Sequence, residues 1–70
     1  MDYVVVIEKG EGSYGAYVPD LPGCVAAGET REEVLKLIQE AIVFHLEGLK
    51  EDGHPVPPPA SSVETVHVEA

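Results

Sequence analysis

Thr30-Arg-Glu-Glu-Val-Leu-Lys-Leu-Ile-Gln-Glu-Ala-Ile-Val-Phe-His-Leu-Glu-Gly-Leu-Lys-Glu-Asp52-Gly53 carries the clearest structural message in this chain. Thr30 and Glu33 stand three apart, the spacing at which each side chain satisfies an orphan backbone donor at a helix start. Glu32 and Glu33 complement the positive end of the helix dipole. Gly53 offers a left-handed exit, and Pro55 prevents continuation. The stretch between holds no proline and predicts one helix of about six turns, roughly 33 Å long. At about 100° per residue, Val34, Leu35, Leu37, Ile38, Ala41, Ile42, Phe44, Leu46 and Leu49 form an apolar arc of roughly 200°. A single small sheet covers a stripe nearer 100° wide, so the arc predicts a second surface, from another subunit or a partner.

Outward from the helix, strands are read on either side. Tyr3-Val-Val-Val-Ile7 is β-branched and apolar on both alternating faces, the pattern of a strand covered on two sides. Lys9-Gly-Glu-Gly12 is turn chemistry, and Ser13–Val18 reads as the second strand of a hairpin ended by Pro19. Pro19-Asp-Leu-Pro-Gly23 is a stiff loop before a short third strand, Cys24–Ala27. After the helix, His54–Pro59 is an extended connector, and Val63-Glu-Thr-Val-His-Val68 alternates as a fourth strand. The expected fold is α+β, β-β-β-α-β. It is one mixed four-stranded sheet of order 3-2-1-4, with the last strand joined by a right-handed crossover and the helix on one face.

The 70 residues bound one small domain, which buries only about 60% of its unfolded surface and so has a thin margin of stability. One cysteine excludes an internal disulfide, and no zinc spacing offers another staple. Self-association to a dimer or larger is the expected third support, with Val4, Val6, Phe44, His45 and Leu46 as candidate interface residues. No apolar run reaches membrane-spanning length and no signal peptide is present, so a soluble, cytoplasmic protein is expected. Thirteen acidic residues against four Lys and Arg give a net charge of −9. That balance argues against direct nucleic-acid binding, which needs a basic patch. It suits either plain solubility or a basic partner.

Catalytic chemistry finds little support. His45 lies near the middle of the apolar arc, where a core or partner-facing histidine is the simpler reading. His54 falls in the connector and His67 in the last strand, with no metal-ligand spacing among the three. Cys24 reads as a small buried hydrophobe. Tyr14 and Tyr17 point to opposite faces of their strand, so at least one faces away from the helix, as an ordinary surface tyrosine or an interface anchor. Glu8, Glu11, Asp20 and Glu29 compose a candidate acidic rim. No cofactor or metal is expected.

Pro19-Asp-Leu-Pro-Gly-Cys24, Gly28, Thr30-x-Glu-Glu33, Glu40-Ala-Ile42, Leu46-Glu47 and Gly53-x-Pro-x-Pro57, following the aromatic hairpin, resemble the HicB-like antitoxin family over nearly the whole chain. The resemblance implies a partial ribonuclease-H-like fold and a non-enzymatic role, binding and blocking a small basic HicA-type messenger-RNA interferase. Glu11, Tyr14, Tyr17, Asp20 and Leu21 are the candidate partner-binding residues. Family members often add a C-terminal DNA-binding module, and no such module is expected within residues 1–70. A stand-alone oligomeric binding module is the second reading, and a small hydrolase using His45 or an acidic cluster the third.

Overall fold

A computed structural model describes residues 1–70. Three strands, β1 (Val6–Gly10), β2 (Ser13–Tyr17) and β3 (Val25–Gly28), precede one helix, α1 (Arg31–Glu51). The strands form an antiparallel meander of order β1-β2-β3. Its hairpin register runs from Val6 opposite Tyr17 to Gly10 opposite Ser13. Helix α1 packs chiefly on β2 and β3.

The helix ends follow from the sequence almost residue by residue. Thr30 is the N-cap, and its hydroxyl accepts the backbone N–H of Glu33 at 3.0 Å. The return bond differs from the reciprocal box, because the Glu33 carboxylate accepts the N–H of Glu29, one residue before the cap. Gly28 is drawn tightly beneath this arrangement. A Cβ there would lie 2.9 Å from Glu33 Oε1 and 3.1 Å from the Val34 nitrogen. At the other end Gly53 takes φ 72°. The His54 N–H reaches the Leu49 carbonyl at 2.9 Å and the Gly53 N–H reaches Lys50 at 3.2 Å. This pair of bonds is the Schellman closure.

The core is small: Ala16, Val18, Leu21, Cys24, Val34 and Ile38. Each large side chain buried there contributes about 1.5–3 kcal/mol relative to exposure. Both buried helical residues lie in the first half of α1. Twenty-one residues extend a helix over about 31 Å, whereas a five-residue strand spans about 17 Å. The second half of the helix therefore overhangs the sheet, and Ala41, Ile42 and Leu46 are only partly covered.

Two expectations are corrected. The first strand is Val6–Gly10 rather than Tyr3–Ile7. The hairpin turn falls at Glu11-Gly12, and β2 ends at Tyr17 opposite Val6, so Tyr3–Val5 have no antiparallel neighbour. The four-stranded mixed sheet of order 3-2-1-4 does not form, and Val63–Val68 is not a strand. The cause is a pair of tethers. The Tyr3 hydroxyl donates to the Pro57 carbonyl. Farther on, the Asp20 carboxylate accepts the N–H groups of Ala60 and Ser61, each at 3.0 Å, and the Ser61 hydroxyl at 2.9 Å. Tyr3 precedes β1, while Asp20 lies between β2 and β3. The connector thus crosses the end of the sheet away from β1, and Val63, Val66 and Val68 stand 71%, 77% and 74% exposed.

Candidate partner-binding surface

Strand alternation sorts the candidate residues onto two faces. Tyr3, Val5, Ile7, Tyr14 and Ala26 pack against the core on the helix side. The opposite face carries Val6, Tyr17 and Val25 in one row, because Val6 pairs with Tyr17 and Tyr17 with Val25. Tyr17 is 41% exposed and Val25 64%. Beside that row, Gly15 stands between Glu8 and Ala27. No helix covers this side of the sheet. An aromatic ring flanked by two valines, with small residues and a carboxylate next to it, is the composition of an interface centre with a polar border.

The loop Pro19–Gly23 is held from within. Val18 N–H reaches the Cys24 carbonyl at 3.2 Å, Leu21 N–H reaches Val18 at 3.1 Å, and Cys24 N–H reaches Leu21 at 3.0 Å. Those bonds turn Leu21 inward to complete burial. Leu21 is consequently part of the core, not of the surface. Asp20 points outward from the same loop, and its carboxyl sits below the usual range because it accepts the backbone N–H groups of Ala60 and Ser61. Its role is to hold the connector, a bond 40 residues distant in sequence that no local pattern announces. Glu11 is exposed at the hairpin turn. Glu29 serves the helix cap through its backbone N–H.

The residues grouped by sequence as an oligomer surface separate. Val4 and Val6 share by alternation the open side of the sheet, while Phe44 projects from the far side of α1, 79% exposed. A shallow groove of about 500 Å³ beside Phe44 is lined by Lys36, Gln39, Glu40, Val43 and Glu47. Leu46 packs toward the core, and His45 is half-buried on the overhanging half of the helix. Cys24 is buried, and burial pushes its thiol pKa upward. No group of three or more His, Cys, Asp or Glu is placed to hold a metal ion. No helix is long and apolar enough to cross a membrane. Sequence reasoning missed Val25, whose exposure follows from its pairing with Tyr17 and could have been read from the hairpin alternation alone.

Residues 3–70 match the family described as HicB-like antitoxin of bacterial toxin-antitoxin systems. The chain belongs to this HicB-like antitoxin family. Among its relatives, an uncharacterized 14.9 kDa protein of Haemophilus phage HP1 is 46% identical over 57 residues, 81% of this chain and 43% of that protein. A UPF0150 protein of Thermoplasma acidophilum is 43% identical over 68 residues, 96% of this chain and 99% of that one. The chain therefore spans under half of the phage relative and nearly all of the archaeal one. The crystal structure of the N-terminal domain of the Burkholderia pseudomallei antitoxin HicB is similar at TM-score 0.74 and 41% identity, over 83% of this chain and 69% of that one. A chain of a HicA3 and HicB3 toxin-antitoxin complex is similar at TM-score 0.72 and 37% identity, over 84% of this chain and 70% of that one.

Proposed function

We propose that this HicB-like domain binds a small, basic HicA-type toxin ribonuclease in the cytoplasm and blocks it by protein–protein contact, without catalysis of its own. The observation that carries the reading is the likeness to a chain of the HicA3 and HicB3 complex, at 37% identity over 84% of the chain. The physical chemistry agrees. A charge of −9 attracts a basic protein and raises the encounter rate, an effect that salt screens beyond about 10 Å at 0.1 M. Affinity is anchored by the open sheet face, with Tyr17 between Val6 and Val25 and with Glu8 and Glu11 at the border. Tyr14, on the helix side, contributes less.

The test is a reconstituted pair with a HicA-type toxin of the same host. Stoichiometric addition should abolish the toxin's cleavage of RNA. The association rate should fall steeply between roughly 50 and 500 mM salt, a range that crosses the screening regime. Tyr17→Ala should speed dissociation, and Glu11→Lys should slow association. Cleavage that continues at twofold excess of the antitoxin domain would end this reading.

A further inference from the structure

Phe44, the only phenylalanine in the chain, is 79% exposed on α1 and stands as a ridge between two grooves. On one side Lys36, Gln39, Glu40, Val43 and Glu47 line about 500 Å³ with it. On the other, His45, Gly48, Leu49 and Asp52 line about 250 Å³. Together the grooves run from Lys36 to Asp52, about 24 Å along the helix axis. The sheet takes the other side of α1, the one that carries Val34 and Ile38. A ridge with a groove on each flank is the relief into which a second helix packs.

Gly48 is a further sign of a close neighbour. It lies one turn after Phe44 and inside the helix, where glycine is less favourable than alanine. No contact within the chain requires it, because a Cβ at that position would meet nothing within 4 Å. The missing side chain beside an exposed ring lets a partner's backbone come close. The surroundings are acidic. Between Gln39 and Asp52 stand Glu40, Glu47, Glu51 and Asp52, against Lys50 as the only Lys or Arg.

We infer that the outer face of α1 is a docking site for a basic amphipathic helix of another protein. The incoming helix lays its apolar stripe over Val43 and Phe44 and passes Gly48 at close range. Lys or Arg residues flanking that stripe meet Glu40, Glu47 and Glu51. Helix-in-groove recognition of this kind uses anchors at i, i+3, i+4 and i+7. A second copy of this chain is a poor occupant, since it brings the same carboxylates and a further charge of −9. The site lies across the molecule from Tyr17 and Val25, which share the uncovered sheet face. It therefore does not rest on the toxin reading.

The probe is a synthetic peptide of about 18 residues, roughly 27 Å long as a helix, with leucines at that spacing and lysines on either side. A scrambled peptide of the same composition is the control. Titrated into the ¹⁵N-labelled full chain, the first peptide should shift amides of Gln39–Gly48 and leave those of Tyr17 and Val25 unmoved. Salt should weaken its binding. Phe44→Ala should weaken binding about tenfold or more with an unchanged denaturant midpoint. Gly48→Ala should act with opposite signs: a higher midpoint, because alanine favours the helix, and weaker binding. Equal affinity for the scrambled peptide, shifts centred on Tyr17 and Val25, full affinity in Phe44→Ala, a Phe44-dependent dimer in sedimentation, or no binding at millimolar peptide would each overturn the inference.

Discussion

Two proline-rich segments of this chain, Pro19–Gly23 and Pro55–Ser61, have similar stiffness and opposite fates. The first folds in on itself: three backbone bonds span Val18 to Cys24, and Leu21 is fully buried. The second makes no such closed loop and is held from outside, at Pro57 by Tyr3 and at Ala60 and Ser61 by Asp20. The difference is not proline content. Leu21 gives its loop a large apolar group to bury, which offsets the entropy of ordering the turn. The connector has only Val56, Pro57 and Ser61 half-covered, and it is ordered by polar contacts to residues distant in sequence.

The comparison can be broken most sharply at Leu21. Leu21→Ala should lose about 2–5 kcal/mol of stability through lost transfer energy and a residual cavity, read as a lower denaturant midpoint with unchanged slope. A loss under half that range would mean that the loop is held by its backbone bonds alone. Thr30→Ala lies outside both segments and calibrates them. It should cost about 1 kcal/mol, because the hydroxyl that accepts the Glu33 N–H is gone.

Tyr3→Phe sharpens the other half of the contrast. It removes the donor to the Pro57 carbonyl and should cost about 0.5–1.5 kcal/mol, with faster amide exchange in the connector. Smallest in global stability is Asp20→Ala. The amides of Ala60 and Ser61 should lose their exchange protection while those of Val18 and Cys24 keep theirs. The same separation should appear with pH. The backbone N–H groups of Ala60 and Ser61 hold the Asp20 pKa below its ordinary 3.8. Its contribution is therefore complete above that value and lost as pH falls through the lower folded pKa. Protection at Ala60 and Ser61 that persists when the carboxyl is protonated would refute the charged tether.

These contrasts explain what was legible in the sequence. The helix was readable because its caps are local. Thr30, Glu33 and Gly53 act within a few residues of themselves, and all three act as their spacing predicts, apart from the return bond to Glu29. The hairpin was readable in kind, but its first strand was shifted by three residues. Apolar content at Tyr3–Val5 suggested a strand, whereas pairing is set by the turn at Glu11-Gly12. Period-two alternation set Tyr14 and Tyr17 on opposite faces without telling which one points outward, and Leu21 was not legible as core, because an isolated leucine between prolines carries no periodicity. The fourth strand failed for a nonlocal reason: Asp20 captures Ser61 across 41 residues.

Cys24 has a chemical corollary. The residue is 3% exposed, and burial favours the protonated thiol over the nucleophilic thiolate. Oxidants therefore find no reactive thiol on the folded surface, and the chain contains no second cysteine with which to pair. Any partner this domain takes is consequently held without a disulfide, and its binding should proceed alike in reducing and oxidising buffers, with no covalent memory of earlier encounters.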